Sequence, residues 1–141
     1  MKTATRIKKA FNAYNGKNQE VLDKLYHQDV VFEDPITKVE GLEELKAYYS
    51  HAYANVRSIK FDFKNIIEAG NTFTCEWDMH LKAKMLNFGR KITVRGLSLL
   101  EFDEESSKVI HHRDYLDLGE MVYEQIPGVA SVVKIIKSQL S

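Results

Sequence analysis

Three ionisable side chains stand where this sequence could do proton chemistry. Asp34 ends the run Val30-Val31-Phe32-Glu33-Asp34-Pro35 and shares strand parity with Val30 and Phe32, so it points with them toward a core. A carboxylate facing an apolar cavity loses solvation and becomes a stronger proton acceptor. Aspartate before proline also caps turns by binding loop amides, and both readings of Asp34 stand. His112 and Asp114 lie two residues apart on an expected strand, projecting from one face about 7 Å from each other. There the carboxylate would hold the imidazole in one tautomer, and the pair could move protons alone or with Asp34. The plainer alternatives are a core histidine bonded to a neighbour and a salt bridge or cap for Asp114. His111 points the opposite way, and His27, His51 and His80 have no ligand spacing, so no metal and no cofactor are expected. The single cysteine, Cys75, falls on an inward strand position and reads as core. Neither a nucleophile triad nor a glycine-rich phosphate loop is present.

The elements that position these groups follow from periodicity. Ile7, Ala10, Phe11 and Tyr14 form one helical stripe, ended by Asn15-Gly16. Asn18 can cap a short second helix with Val21, Leu22 and Leu25 inward. The Val30–Pro35 strand follows, and Gly41 opens a third helix with Leu42, Leu45, Tyr48, Tyr49, Ala52, Tyr53 and Val56 on its buried side. From Ile59 the period becomes two: Ile59, Phe61 and Phe63 alternate with charged residues up to the Gly70-Asn71 hairpin. Phe73, Cys75, Trp77, Met79 and Leu81 then face inward. A turn around Asn87-Phe88-Gly89 leads into Ile92–Phe102, and Asp103–Ser107 turns the chain into Val109–Leu118. Two helical pieces split by Pro127-Gly128 close the sequence, the second with Val129, Val132, Val133, Ile136 and Leu140 on one stripe. Helices gathered at one end of a meandering sheet make an α+β domain, a curved antiparallel sheet wrapped into a cone around the N-terminal helices. The open mouth of such a cone is a small-molecule pocket.

Composition bounds the partners. The chain has 141 residues, with 20 Lys plus Arg against 20 Asp plus Glu. One domain spanning 1–141 is expected at this length. Zero net charge argues against nucleic acid, whose phosphates need a basic face. No apolar run of about 18 residues is available to span a bilayer, and no signal-peptide core follows the N-terminus. A cytoplasmic protein without stable membrane association is expected.

The order of elements, the Asn15-Gly16 break, Phe32-Glu33-Asp34-Pro35, Gly41 before the third helix, and Arg113-Asp114-Tyr115-Leu116-Asp117-Leu118 resemble the nuclear transport factor 2-like superfamily. The SnoaL-like and ketosteroid-isomerase-like branch is the most similar, over roughly Arg6 to Leu118. The resemblance implies that Asp34 occupies the place of the isomerase's proton-shuttling base, a chemistry for which that enzyme is a standard worked case. It also implies departures: Lys9 stands where the isomerase has its oxyanion tyrosine, and Ser98 where it has a protonated aspartate. Tyr14, more than a turn further along the helix, could substitute or could be core. Asp114 resembles the water-activating aspartate of limonene-type epoxide hydrolases. Asp78 would then match their acid, with Glu76 in the arginine's place and alternation turning Asp78 outward.

These readings converge on an apolar pocket lined by Tyr14, Phe32, Tyr53, Phe61, Phe63, Trp77, Met79 and Ser98, with Asp34, His112 and Asp114 as its catalytic candidates. The expected function is binding of a small apolar or oxygenated metabolite, with isomerase, cyclase or hydrolase chemistry run by an inward Asp as general base. The alternatives are a non-catalytic ligand-binding protein and a dimerisation or accessory module whose pocket is filled. A homodimer through the outer sheet face, at Leu97 and Leu99, is expected. The final helix reads as a lid, a dimer contact or a surface helix.

Overall fold

The computed structural model describes residues 2–84, 89–121 and 129–140. The expected turn at Asn87-Phe88 and the Pro127-Gly128 break lie outside the described residues. Eleven elements follow one another: α1 (Lys2–Ala13), α2 (Glu20–Leu25), β1 (Tyr26–Glu33), β2 (Lys38–Glu40), α3 (Leu42–Tyr53), β3 (Val56–Ala69), β4 (Thr72–Ala83), β5 (Ile92–Phe102), β6 (Val109–Leu116), α4 (Leu118–Met121) and α5 (Val129–Leu140). The fold is α+β, a curved, unclosed sheet packed against the N-terminal helices. No helix among the described residues is long and apolar enough to cross a membrane.

Six strands form one sheet in the order β2-β1-β6-β5-β4-β3. β3 to β6 run antiparallel, with Trp77 opposite Gly96 and Ser98 opposite Asp114. Two features depart from the sequence reading. Lys38–Glu40 forms an extra edge strand, too short for its period to register. β1 pairs parallel with β6, so the sheet is mixed: the three antiparallel reversals from β3 to β6 leave the last strand running in the direction of β1. That pairing sets Phe32 beside His112.

The clean alternation of β4 becomes the core wall, with Phe73, Cys75, Trp77, Met79, Leu81 and Ala83 buried. β3 is an edge strand, and a register shift between Phe63 and Ile66 ends its simple alternation. The side-chain amide of Asn12 donates to the Phe61 carbonyl at 3.2 Å and its oxygen accepts from the Phe61 N–H at 2.8 Å, which pins α1 against that edge.

Asn18 does a different job from the one expected. Its Nδ2 donates to the Ala13 carbonyl at 2.7 Å and its Oδ1 accepts from Asn15 N–H at 2.8 Å, so it closes the end of α1. Gln19 takes the N-cap position of α2 without a side-chain bond. Gly16 sits at φ +90°, and a Cβ there would fall 2.6 Å from the Cβ of Tyr53. The turn therefore lies flush on α3, which only glycine permits.

On α3, Leu45 alone is fully buried. Tyr48, Tyr49 and Tyr53 are half-buried and Ala52 is exposed, because this face borders an open cavity. At the other end, Val132, Ile136 and Leu140 of the expected α5 stripe are 54–83% exposed.

Candidate functional site

Between the concave face of the sheet and α1, α2 and α3 lies a cavity of about 400 Å³. β1 carries Phe32 to it, with Asp34 just past the strand's end; β4 carries Trp77 and Met79, and β6 carries His112 and Asp114. Tyr14, Tyr53 and Phe61 also line it. Two residues expected on the wall do not. Ser98 is wholly buried behind Trp77 and Asp114, and Phe63 packs outside the cavity against Phe11, ring centroids 5.8 Å apart. The bulk of Trp77 hides Ser98, and the rings of Phe11 and Phe61, packed against Phe63, stand between it and the cavity.

A continuous hydrogen-bonded chain runs through the cavity wall. Trp77 Nε1 donates to Ser98 Oγ at 3.0 Å. Indole can only donate, so the serine oxygen accepts there and its own proton goes to Asp114 Oδ1 at 2.6 Å. The same Oδ1 meets His112 Nε2 at 2.5 Å. A carboxylate only accepts, so Nε2 carries a proton. On the far side of the ring, His112 Nδ1 lies 2.7 Å from the Tyr26 hydroxyl, which lies 3.3 Å from the Tyr49 hydroxyl. With Nδ1 unprotonated, Tyr49 donates to Tyr26 and Tyr26 donates to the imidazole. With Nδ1 protonated, both hydroxyls turn round. The network thus tolerates either state of His112 without leaving a buried polar atom unpaired.

The imidazole is clamped as well as bonded. Phe11 and Tyr26 stack on it at centroid distances of 5.9 and 5.8 Å, and Phe32 meets it edge-on at 4.9 Å. His112 is 1% exposed, and both of its ring nitrogens are engaged. It therefore positions Asp114 and has no nitrogen to offer a ligand. Asp114 Oδ2, by contrast, receives no hydrogen bond among the described residues, while the side chain lines the cavity.

Asp34 combines its two sequence readings. Its Oδ1 accepts the N–H groups of Ile36 and Thr37 at 2.8 and 2.9 Å, closing the turn before β2. Its Oδ2 accepts the Tyr48 hydroxyl at 2.5 Å. The carboxylate lines the cavity, but three donors already occupy it.

Several hydroxyls are strongly perturbed. Burial pushes Tyr26, Tyr49 and Tyr53 well above the ordinary phenol value, and the Asp114 charge adds to each. Tyr48 is raised by burial first and by its bond to Asp34 second. Cys75 is pushed up to about 12 by burial, then by Asp114, which makes it an inert core thiol. The Tyr14 hydroxyl, buried beside Gln19, makes no hydrogen bond of ordinary geometry.

These shifts have a consequence for stability. In the unfolded chain each tyrosine ionises near about pH 10, while in the folded protein these three stay protonated. The unfolded state then binds fewer protons, so stability is intact below about pH 10 and falls as pH rises above it, by about 1.4 kcal/mol per pH unit for each such tyrosine. Urea unfolding between about pH 9 and 11.5 measures the slope. Tyr53→Phe should flatten it by one tyrosine's share, since no hydrogen bond of that hydroxyl is lost.

Tyr26, Tyr48 and Tyr49 had no chemical role in the sequence reading. A signal was present: five of the seven tyrosines line this cavity, and Tyr49 and Tyr53 sit one helical turn apart. The hydrolase-like acid position resolves outward, where Asp78 pairs with Lys64 at 2.9 Å and Glu76 accepts from Asn65. Arg113 is also outward, bound to Glu33 at 2.6 Å. No cluster of three or more His, Cys, Asp or Glu side chains that could hold a metal occurs among the described residues.

Residues 7–112 match the family model of the SnoaL-like domain. The chain belongs to that family. Solved structures similar to this SnoaL-like domain include a protein assigned as a SnoaL-like polyketide cyclase from Shewanella denitrificans, at 22% identity, TM-score 0.72, and 87% and 92% coverage of this chain and that one. A ketosteroid-isomerase-like protein from Catenulispora acidiphila in complex with trimethylamine gives 18% identity, TM-score 0.71, and coverages of 86% and 89%. An LEH-like epoxide hydrolase from Mycobacterium tuberculosis gives 18%, 0.66, and coverages of 92% and 96%. No curated protein matches the chain. At these identities the likeness establishes the fold of the SnoaL-like domain and leaves its chemistry to the site.

Proposed function

We propose that this SnoaL-like domain is a cytoplasmic enzyme that binds a small, largely apolar molecule and uses Asp114 as general base on a carbon acid or a water. The observation that carries the reading is the free Asp114 Oδ2 beside an Oδ1 held by Ser98 and His112. That arrangement aims one carboxylate oxygen at the cavity and leaves a relay of ionisable groups behind it. Asp34, both of whose oxygens already accept hydrogen bonds, is the turn-closing carboxylate and contributes charge.

The assay is a panel of enones, epoxides, lactones and small amines, the last suggested by the trimethylamine in the Catenulispora structure. Asp114→Asn should abolish turnover of whatever the wild-type protein converts, whereas Asp34→Asn should keep most of kcat at saturating substrate, with any loss falling on KM. If the Asp34 variant is the dead one, the base has been misassigned. If wild type binds panel members and converts none, the enzyme reading is lost.

One observation favours a second reading, a ligand-binding protein without turnover. The hydroxyl protons of Tyr48 and Ser98 are committed to carboxylates, and Lys9 holds the place of the isomerase tyrosine. That leaves the Tyr14 hydroxyl, which lines the cavity, as a donor for a developing oxyanion, fewer than an isomerase uses, so water activation is the better-supported reaction. A filled dimerisation module fits poorly with a cavity of about 400 Å³. The outer sheet face, with half-buried Leu97 and Leu99 and exposed Tyr115, would be the homodimer contact, which native mass spectrometry reads.

A further inference from the structure

Two carboxylates, Asp34 and Asp114, share one largely apolar cavity, and no cationic side chain enters it with them. Lys84 is the one Lys or Arg on the lining among the described residues, and it is exposed at the rim. Arg113, between His112 and Asp114 in sequence, projects to the other face, where it binds Glu33 directly and acts on Asp34 only through space, from outside the cavity. His112 and Asp114 form an ion pair only when the imidazole is protonated, and Asp34 makes no ion pair among the described residues. A negative charge set against apolar surface without a counter-charge is unfavourable, and a ligand that supplies the counter-charge recovers that cost.

The walls point the same way. Tyr14, Tyr49 and Tyr53 pack against one another at centroid distances of 4.8 to 6.3 Å, and Phe32 lies 5.8 Å from Tyr48 and 5.2 Å from Tyr49. Ring faces are negative and attract cations. The Tyr48 ring is enriched further, because its phenol donates to the Asp34 carboxylate at 2.5 Å. The buried Tyr14 hydroxyl, which makes no hydrogen bond of ordinary geometry, sits in the same wall. Asp114 also acts at a distance on Tyr48, Tyr49 and Tyr53, so its field spans this group of rings.

We propose that the cavity selects an organic cation, a protonated or quaternary amine on an apolar body, with its charge against Asp34 and the rings of Tyr48 and Phe32. The inference rests on the cavity being the ligand site and adds the ligand's charge to it. Asp34 then acts as the fixed counter-charge and Asp114 remains free for proton transfer. An anionic ligand would meet both carboxylates, and a neutral one would leave both uncompensated.

Calorimetric titration at neutral pH tests this with two probes. One is phenethyltrimethylammonium; the other is its neutral isostere, with tert-butyl in place of trimethylammonium. The expected result is binding of the cation at least about tenfold tighter than the isostere. Asp34→Asn, whose amide oxygen can still close the turn, should bring the ratio close to one, and circular dichroism checks its fold. Equal binding of the two probes by the wild-type protein overturns the cation proposal while leaving the cavity and its base intact. A cation preference unchanged in both Asp34→Asn and Asp114→Asn overturns it as well, because the charge would then lie elsewhere. Failure of either probe to bind, together with no turnover on the panel, removes the ligand-site reading itself.

Discussion

Asp114→Asn lowers kcat by about 10²- to 10⁴-fold on a compound that the wild-type protein converts, the range expected for losing a positioned general base. The substitution isolates the proton-accepting function. An asparagine oxygen in the place of Oδ1 still accepts the Ser98 hydroxyl and the His112 Nε2 proton. The amide nitrogen replaces the free Oδ2 and cannot take a proton. Stability should be held or raised, because the acceptor remains and a negative charge leaves a largely apolar cavity. Steady-state kinetics with a urea titration separates the outcomes. Loss of kcat with an unchanged KM and an unmoved unfolding midpoint supports the base assignment. Full turnover in the variant would refute it. Tyr26→Phe serves as the comparison: it removes the bond to Nδ1 without touching the carboxylate, so it should lower kcat far less than Asp114→Asn does.

The second large effect is on folding. Gly96→Ala places a methyl group 2.6 and 2.8 Å from Cζ3 and Cζ2 of Trp77, and nearer still to Cη2. The indole is 2% exposed and is held at its other end by the bond to Ser98, so it has nowhere to retreat. Overpacking of this kind costs about 1–3 kcal/mol, and the upper end applies when the obstructed group is a rigid ring. Moving the ring also breaks the first bond of the chain that orients Asp114, so activity should fall along with stability. The decisive measurement is a double-mutant cycle. In the Trp77→Leu background the obstructing ring atoms are gone, and Gly96→Ala should become nearly neutral. An undiminished cost there would mean that the glycine is needed for its backbone and not for the indole.

Why Gly96 was silent in the sequence is instructive. It lies mid-strand in Ile92–Phe102 among alternating residues, and nothing local marks it as the partner of an aromatic ring. Its role appears only when β4 and β5 are paired in register, which sets it opposite Trp77. Ser98 follows the same logic. Its inward parity was legible, but whether it reaches the cavity depends on the size of Trp77 in front of it. Tyr26 lies outside the strand expected from Val30 onward; β1 begins four residues earlier, and Tyr26 shares the inward parity of Val30 and Phe32 and is buried with them.

The pairing of His112 with Asp114 was readable from spacing alone, since residues two apart on a strand share a face whatever the fold. So were the inward wall of β4, the break at Asn15-Gly16, the α+β class and, through several short motifs in order, the family. All of these are local periodicities or local turn chemistry, which a linear sequence encodes directly. The direction of each hydrogen bond, the occupation of both Asp34 oxygens, the hiding of Ser98 and the confinement of the described lining's Lys and Arg to Lys84 at the rim are of another kind. They depend on which side chains from distant strands and helices meet, and on how much room each leaves for the next. Those contacts are set by sheet register and by the packing of α1 and α3 across the concave face. The sequence by itself determined which residues could carry chemistry; only the tertiary structure decided that Asp114 keeps a free oxygen while Asp34 does not.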